Sequence, residues 1–541
     1  MNSSEGVPFK LLPTQIYSLN QRSSNTAFRF HHHLFMIQIP SLRLAITTLL
    51  ASACIATGAP KPNIVMIYVD DWAWGGSSVK MDDSNPNSAN GILTLPNVER
   101  MAAQGMKFSN AYGSHQCAPA RASLQTGQSV ARTGFTLVLG KTKGDYYDER
   151  PRFRKFPMLP NISDPSLDPD AVTIPEVLNP MGYVSAHLGK WHLYSDPGAE
   201  GYVLHSGDTT NNEGNILDKS KGITPDFKDP KLMFSLTDQG IRFMEEQTRA
   251  KRPFYLQISH YAVHNGSEAL HSTFEEYKKH PALADHYGKR PSLGPAAYFA
   301  MTRDMDTNIG RILDSVEALG IKDNTYVILV SDNGYRRKDL LEDPNFTQPL
   351  HGHKWWAWEA GIRVPMIVNG PDIPKGSVFQ ENVVNYDFLP TFVDWAGGDP
   401  DALANIDGVS LAPYMRGTAP DKAFVNRPIY FHVPHYRGQI PHSTVISGDY
   451  KLMHFYDSPD TPMLFDLSKD PGERSNVASN FPEKHGQLMQ QMMGYLNSVD
   501  AKFPKENPNF DAAAFQKEKD YEMFQAWGAF EGNRPLGNDE S

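Results

Sequence analysis

Cysteine is nearly absent from this chain: Cys54 and Cys117 are the only two in 541 residues. A disulfide framework is therefore excluded for the mature chain if Cys54 departs with a leader, which leaves Cys117 as the single thiol. Positive charge is also in deficit, with 51 Lys and Arg against 61 Asp and Glu and a formal charge of −10. That balance gives no support to non-specific binding of nucleic acid or another polyanion. An anionic ligand must be met by a local basic pocket. No apolar run reaches the roughly 20 residues that a membrane-spanning helix needs, and neither internal repeats nor low-complexity tracts are visible. What remains is an ordinary globular composition, 40% hydrophobic and 21% charged, long enough for more than one folding unit.

Residues 1–35 are polar and aperiodic, ending near a His-His-His run. From Met36 the text changes to Ser41, Arg43 and then an apolar run from Leu44 to Ala59. This reads as a secretory leader beginning at Met36 and cleaved among small residues near Ala53 to Ala59. The expected destination is the periplasm or the medium, with membrane attachment only if Cys54 accepts a lipid. Residues 1–59 are accordingly leader, 60–420 the main α/β domain, and 421–541 a smaller α+β subdomain.

The mature sequence opens on Pro62-Asn63-Ile64-Val65-Met66-Ile67-Tyr68-Val69-Asp70-Asp71. An unbroken β-branched apolar run predicts a strand buried on both faces, as in parallel α/β sheets. The spacing around Val98 predicts a helix capped by Asn97 and ending at Gly105. Further strands are expected at Tyr183–Leu188, Pro253–Ile258, Thr325–Val330 and Val364–Val368. Ile309, Ile312, Leu313, Val316 and Leu319 share one helical face. The fold class is α/β: a large, mostly parallel sheet sandwiched by helices. After about residue 420 the pattern becomes short strands, Arg427–Val433, Ser443–Tyr456 and Met463–Leu467, predicting a small antiparallel sheet. A helix over Glu483–Val499 follows.

The chemistry centres on Ser114-His115-Gln116-Cys117-Ala118-Pro119-Ala120-Arg121-Ala122-Ser123-Leu124-Gln125-Thr126-Gly127. Pro119 suits the first helical position and Gly127 a helix stop. Cys117 is then expected just before a helix N-terminus, where free N–H groups favour an anion. Arg121, one turn on, offers a planar anion clamp. Asp70, Asp71, Asp332 and Asn333 all follow predicted strands, so a shared sheet brings them to one edge. Taken singly, each is an ordinary turn residue. Together they form an all-oxygen set that fits Ca²⁺ or Mg²⁺ rather than zinc.

Cys117-x-Pro119-x-Arg121 with Thr126-Gly127 resembles the signature of the type I sulfatases of the alkaline phosphatase superfamily. The likeness extends through Gly189-Lys190-Trp191-His192, Ala262-Val263-His264, and Lys354 ahead of Glu359-Ala360-Gly361-Ile362-Arg363-Val364-Pro365. Val263 stands where proline is common, and Ala360 where the family has a first glycine. Leu464-Phe465-Asp466-Leu467 and Asp470-Pro471-Gly472-Glu473 with Asn476 resemble the family's C-terminal signature. The resemblance implies conversion of Cys117 to Cα-formylglycine by a formylglycine-generating enzyme, the hydrated aldehyde being the nucleophile and elimination of sulfate restoring it. It implies Ca²⁺, with Mg²⁺ the alternative, on Asp70, Asp71, Asp332, Asn333 and modified Cys117. Lys190 and His192 are implied contacts of sulfate and the hydrate, and His192 takes the hydrate proton. His264 and Lys354 are implied at the leaving group, while His260 is a neighbour without that role.

The metal, Arg121, Lys190 and Lys354 suit a sulfate whose charge moves onto the bridging oxygen as the S–O bond breaks. The stretch His351-Gly352-His353-Lys354-Trp355-Trp356-Ala357-Trp358 surrounds the lysine with rings and donors suited to a sugar, and His353 is the candidate substrate contact. Arg150, Arg152, Arg154 and Lys155, interleaved with Phe153 and Phe156, are a second candidate patch. His432, His435, Tyr436, Arg437 and His442 are expected as a wall over the site. The expected substrate is a sulfated carbohydrate of galactose or N-acetylgalactosamine type. The alternatives are a phosphonate monoester or phosphodiester hydrolase of the same superfamily, and a non-catalytic protein that binds sulfated glycans.

Overall fold

Hydrophobic runs without alternation become the centre of the molecule. The structure is a computed structural model describing residues 60–138, 156–159, 163–218, 220–283, 294–335, 350–436 and 440–513. The leader with Met36 and Cys54, the Arg150–Lys155 patch and Arg437 lie outside them. The main sheet has eight strands: β1 (Asn63–Val69), β2 (Met106–Phe108), β3 (Val184–Gly189), β4 (Leu204–His205), β5 (Phe254–Ser259), β6 (Thr325–Ser331), β7 (Met366–Asn369) and β8 (Ser377–Phe379). Their spatial order is β8-β2-β7-β6-β1-β5-β3-β4. All neighbours run parallel except β7, which is antiparallel to both β2 and β6. Register aligns Met66 with Ile328 on one side and Gln257 on the other.

Every residue of β1 is buried, because helices cover both faces. Val65, Ile67 and Val69 pack beneath α1 (Pro96–Gln104), α3 (Met233–Arg249) and α4 (Pro295–Ala318). Ile64, Met66 and Tyr68 face α2 (Cys117–Thr126) and α5 (Phe388–Trp395). Truncating one such side chain to alanine costs about 2–5 kcal/mol, so this sheet is a stiff platform for whatever its ends carry.

Two helix starts depart from expectation. Asn97 is not the cap of α1, which follows Leu95 without a side-chain cap. Asp306 of α4 does that job from across the core, accepting from the backbone N–H of Asn97 at 3.0 Å and of Val98 at 2.9 Å. Helix α2 begins at Cys117 itself, two residues before Pro119. Proline is tolerated anywhere its N–H has no helical partner, which covers the whole first turn, so Pro119 did not mark the first residue. The stop at Gly127 holds: its φ of 67° is left-handed, and its N–H returns to the Ser123 carbonyl.

The C-terminal strands β9 (Ile429–Val433), β10 (His442–Ser447), β11 (Tyr450–Phe455) and β12 (Met463–Asp466) form an antiparallel meander. One face packs on α6 (Pro482–Ser498) through Leu452, Leu464, Leu488, Met492 and Leu496. The other face meets Tyr112, Trp356 and Trp358 of the main body. Among the described residues no helix is long and apolar enough to cross a membrane.

Candidate active site

The functional side chains gather where open α/β sheets place ligands, beyond the carboxyl ends of parallel strands. Asp70 and Asp71 follow β1, Lys190 and His192 follow β3, His264 follows β5, and Asp332 and Asn333 follow β6. Helix α2 adds Cys117 and Arg121, and the segment before β7 adds Lys354. Gly189 makes the turn possible: its φ is 91°, and a side chain there would collide with the Ser259 carbonyl. Asp71 and His192 themselves sit at positive φ, 60° and 65°, conformations that persist only where the surroundings hold them.

Ligand atoms of Asp70, Cys117 and Asp332 lie within 4.8 Å of one another, all buried. Asp71 stands beside them, its backbone N–H donating to Asp332 Oδ1 at 3.1 Å and its Oδ1 accepting from Asn333 Nδ2 at 2.8 Å. Lys190 Nζ pairs with Asp70 Oδ2, and Lys354 Nζ with Asp71 Oδ1. Arg121 donates from Nη1 to the Lys190 carbonyl at 2.5 Å and from Nη2 to Asp332 Oδ2 at 3.0 Å. Its guanidinium also lies 5.1 Å from the Tyr68 ring centroid. Three buried oxygens, Asp70 Oδ1, Asp71 Oδ2 and Asn333 Oδ1, have no hydrogen-bond partner among the described residues. Such uncompensated oxygens, converging beside Cys117, match the donor chemistry of a hard divalent cation.

Around the thiol, His192 Nδ1 is 3.4 Å and Lys354 Nζ 3.9 Å from Cys117 Sγ. His264 Nε2 is 3.8 Å from Asp71 Oδ2. Electrostatics sorts these groups. Burial, reinforced by Lys190 and Arg121, holds the His192 imidazole well below its usual range, so it is a neutral acceptor. Burial also pushes His264 down to about 3, against the pull of Asp71 and Asp70. Burial works against the Lys354 ammonium, but Asp71, Cys117 and Asp70 outweigh it and hold the proton on. Burial acts first on Asp70 as well, yet Lys190 and its neighbours keep that carboxylate ionised.

The structure thus brings all the motif residues into one site. It redistributes the outer candidates. His353 and Trp355 are half-buried, their rings edge-to-face at 6.0 Å, whereas Trp356 and Trp358 are core. His432, His435, Tyr436 and His442 do not form an open wall, being fully buried. His432 bonds Ser443 at 2.7 Å, His435 bonds Thr136, and Tyr436 stacks on Phe156. Tyr436 and His442 pack in the interface with the main body, whereas His432 lies on the opposite face of the sheet, its Nε2 3.1 Å from the Lys502 carbonyl. Gln257 and Ser259 were not read from the sequence. Gln125 of α2 donates to Gln257 at 2.8 Å, Gln257 to Ser259 at 2.9 Å, and Ser259 meets His187 at 3.1 Å. A polar chain under α2 inside an apolar sheet has no sequence signal beyond isolated polar residues in β5.

Comparison with known proteins agrees with this geometry. Residues 62–398 match the sulfatase family model, and 351–502 match that of the N-sulphoglucosamine sulphohydrolase C-terminal region. An N-acetylgalactosamine-6-sulfatase of Canis lupus familiaris is 28% identical over 468 residues, covering 80% of each chain. An N-acetylglucosamine-6-O-sulfatase of Bacteroides thetaiotaomicron is 24% identical, covering 80% of this chain and 85% of the other. Among solved structures, the PsFucS1 sulfatase from Pseudoalteromonas sp. superposes with a TM-score of 0.60 at 20% identity, covering 83% of this chain and 92% of the other. The chain belongs to the sulfatase family. As such it is a sulfuric ester hydrolase.

Proposed function

We propose that this enzyme hydrolyses sulfate esters on a carbohydrate, using formylglycine at position 117 and Ca²⁺. One observation carries the reading: acidic, cationic and imidazole side chains from every strand end around α2 converge on the Cys117 thiol. Asp70, Asp71, Asp332 and Asn333, with residue 117, would hold the ion, which as a Lewis acid draws charge from sulfate oxygens. The hydrated aldehyde supplies the nucleophilic hydroxyl, and Cys117 Sγ stands in for its oxygens. It is made by a formylglycine-generating enzyme, a partner this reading requires.

The chain's own residues do the rest. His192, neutral and adjacent to residue 117, takes the proton from the attacking hydroxyl. Arg121 fixes Asp332 and the Lys190 segment, so the acids stay aligned while charge shifts in the site. Lys190 and Lys354 are ammonium donors for the sulfate oxygens. His264 faces the departing oxygen. The negative charge of an arriving sulfate ester raises the proton affinity of a neighbouring imidazole, so His264 protonates the leaving alcohol as the ester S–O bond breaks. Burial of the whole set strengthens each of these interactions over its value in water.

The sugar is proposed from two supports. The relatives named above act on 6-sulfated N-acetylgalactosamine and on N-acetylglucosamine 6-O-sulfate by their names. His353 and Trp355, half-buried rings on either side of Lys354 in the chain, are also of the residue types that suit a pyranose. A galactose or N-acetylgalactosamine ester is our first assignment. Export is part of the proposal, supported by the apolar run of residues 44–59 alone. N-terminal sequencing of protein recovered from the periplasm or medium tests it.

The test of function is anion release. Protein co-produced with a formylglycine-generating enzyme is incubated with sulfated and phosphorylated saccharides, with Ca²⁺ or with chelator. Sulfate release that chelator abolishes is expected. Release of phosphate alone would overturn the assignment in favour of a phosphoester substrate.

A further inference from the structure

Lys354 is held locally by His353, whose Nδ1 meets its carbonyl at 2.7 Å, and also by distant segments. Its loop is fastened at two places on the site side, where Lys354 N–H donates to the Tyr335 carbonyl and Trp355 N–H to the His115 carbonyl, both at 2.7 Å. On the far side it is fastened by the C-terminal sheet. His442 Nε2 accepts from the Ala357 N–H at 3.0 Å, and the ring lies over Trp356 at 5.7 Å and 23°. Because His442 Nδ1 faces the Ile440 carbonyl at 2.6 Å, that nitrogen must carry the proton, leaving Nε2 as the acceptor. Two residues further, Glu473 Oε2 accepts from the Glu359 N–H at 2.7 Å. Glu473 Oε1 pairs with Lys451 Nζ at 2.7 Å, and Lys451 reaches Glu359 Oε1 at 3.0 Å. Arg363 and the Tyr112 hydroxyl meet the other Glu359 oxygen. The side chains of Lys451, Glu359 and Glu473 are completely buried.

Such a cluster is a poor device for stability alone, since apolar residues of equal volume commonly do as well or better. Its directional bonds do something apolar packing does not: they fix the backbone on the C-terminal side of Lys354 in one register. We infer that His442, Lys451 and Glu473 are positioning residues for Lys354, so that the C-terminal subdomain sets the geometry of the sulfate-binding lysine. The inference rests on the reading of Lys354 as a sulfate contact, and it goes beyond that reading by assigning a role to side chains that touch neither substrate nor metal. Displacement of a charged contact by about 1 Å is enough to lose much of its effect.

The experiment is calorimetric titration of inorganic sulfate into the full, aldehyde-bearing, Ca²⁺-loaded chain. His442→Phe keeps the stack on Trp356 but removes the acceptor, and Glu473→Gln keeps an acceptor but breaks the pairing with Lys451. Each is expected to weaken sulfate about tenfold, the equivalent of one weakened contact. His442→Gln places an amide oxygen where Nε2 was and is expected to restore affinity to within about twofold of the unaltered chain. Lys354→Ala weakens sulfate by itself, and adding either substitution to it is expected to weaken binding no further, because they act through Lys354. A purely structural role would lower the unfolding midpoint while leaving sulfate affinity per folded molecule intact, and that result overturns the inference. Losses that multiply with Lys354→Ala overturn it too. Should Lys354→Ala bind sulfate normally, the reading of Lys354 itself fails. Should His442→Phe not fold, Glu473→Gln with and without Lys354→Ala decides alone.

Discussion

Replacement of Arg121 by lysine isolates what the guanidinium does beyond carrying charge. The native side chain is 2% exposed and makes two separate donations, to the Lys190 carbonyl and to Asp332 Oδ2. A single ammonium on a shorter stem satisfies one of them and leaves the other acceptor buried without a partner, at about 1–3 kcal/mol. Loss of the planar contact with Tyr68 adds about 0.5–2 kcal/mol. The sum stays below the roughly 5–15 kcal/mol of a folded domain, so Arg121→Lys folds. Function suffers more than stability: Lys190 and Asp332 lose their common brace, and misplacement of about 1 Å in such a site costs about a hundredfold. Denaturant unfolding and sulfate release per folded molecule, measured by ion chromatography, read the two effects separately. Arg121→Met is expected to be worse on both counts, because it strips Asp332 of its buried partner at about 3–5 kcal/mol. An Arg121→Lys enzyme with kcat/KM within about twofold of the unaltered one would refute the bracing argument, since that ratio is under about 0.5 kcal/mol.

Three further outcomes are expected. Burial pushes the Asp304 carboxyl from its ordinary 3.8 up to about 6, although the Leu270 N–H and Thr273 hydroxyl favour the ionised form. The folded chain therefore holds this proton more tightly than the unfolded one. The stabilisation is present below pH 3.8 and is lost as pH rises through 6, about 3 kcal/mol in all at 1.36 kcal/mol per pH unit. Relative to Asp304→Asn, unfolding free energies of the native chain should fall across that window, and a constant difference from pH 4 to 7 would count against it. Asp306→Ala leaves the N–H groups of Asn97 and Val98 without their acceptor, so α1 amides should exchange faster, with a stability loss of about 1–3 kcal/mol per buried bond; unchanged protection would return the cap to α1's own residues. Removal of divalent ions should abolish sulfate release, with Ca²⁺ restoring it, and should also lower the thermal midpoint, because an ion held by Asp70, Asp71, Asp332 and Asn333 binds the folded chain and not the unfolded one. A midpoint indifferent to chelator would argue that these acids hold no ion.

The parts of the molecule legible in the sequence were those with local causes. A strand buried on both faces must be apolar throughout, so β1, β5 and β6 were visible and the acids at their ends could be placed on one edge. The helix at Cys117 was legible through Pro119 and Gly127, with its start displaced because a proline fits any position of the first turn. What could not be read has distant causes. The cap of α1 comes from Asp306, 209 residues from Asn97. Glu359 finds Lys451 and Glu473, 92 and 114 residues away, and no period or spacing foretells such pairings. His432 and His442 were misplaced as a wall for the same reason: nothing local foretells that Trp356 would cover His442 or that the Lys502–Phe503 segment would cover His432.

The most direct test of the account relates sulfate release to the state of residue 117. Preparations made with graded amounts of the maturation enzyme are analysed by mass spectrometry for the fraction of Cys117 converted to aldehyde. The same samples are assayed for sulfate released from N-acetylgalactosamine 6-sulfate and from sulfated oligosaccharides. Release in proportion to the converted fraction is expected, with none from unconverted protein. Sulfate release at full rate from chains that keep an intact Cys117 thiol would contradict it.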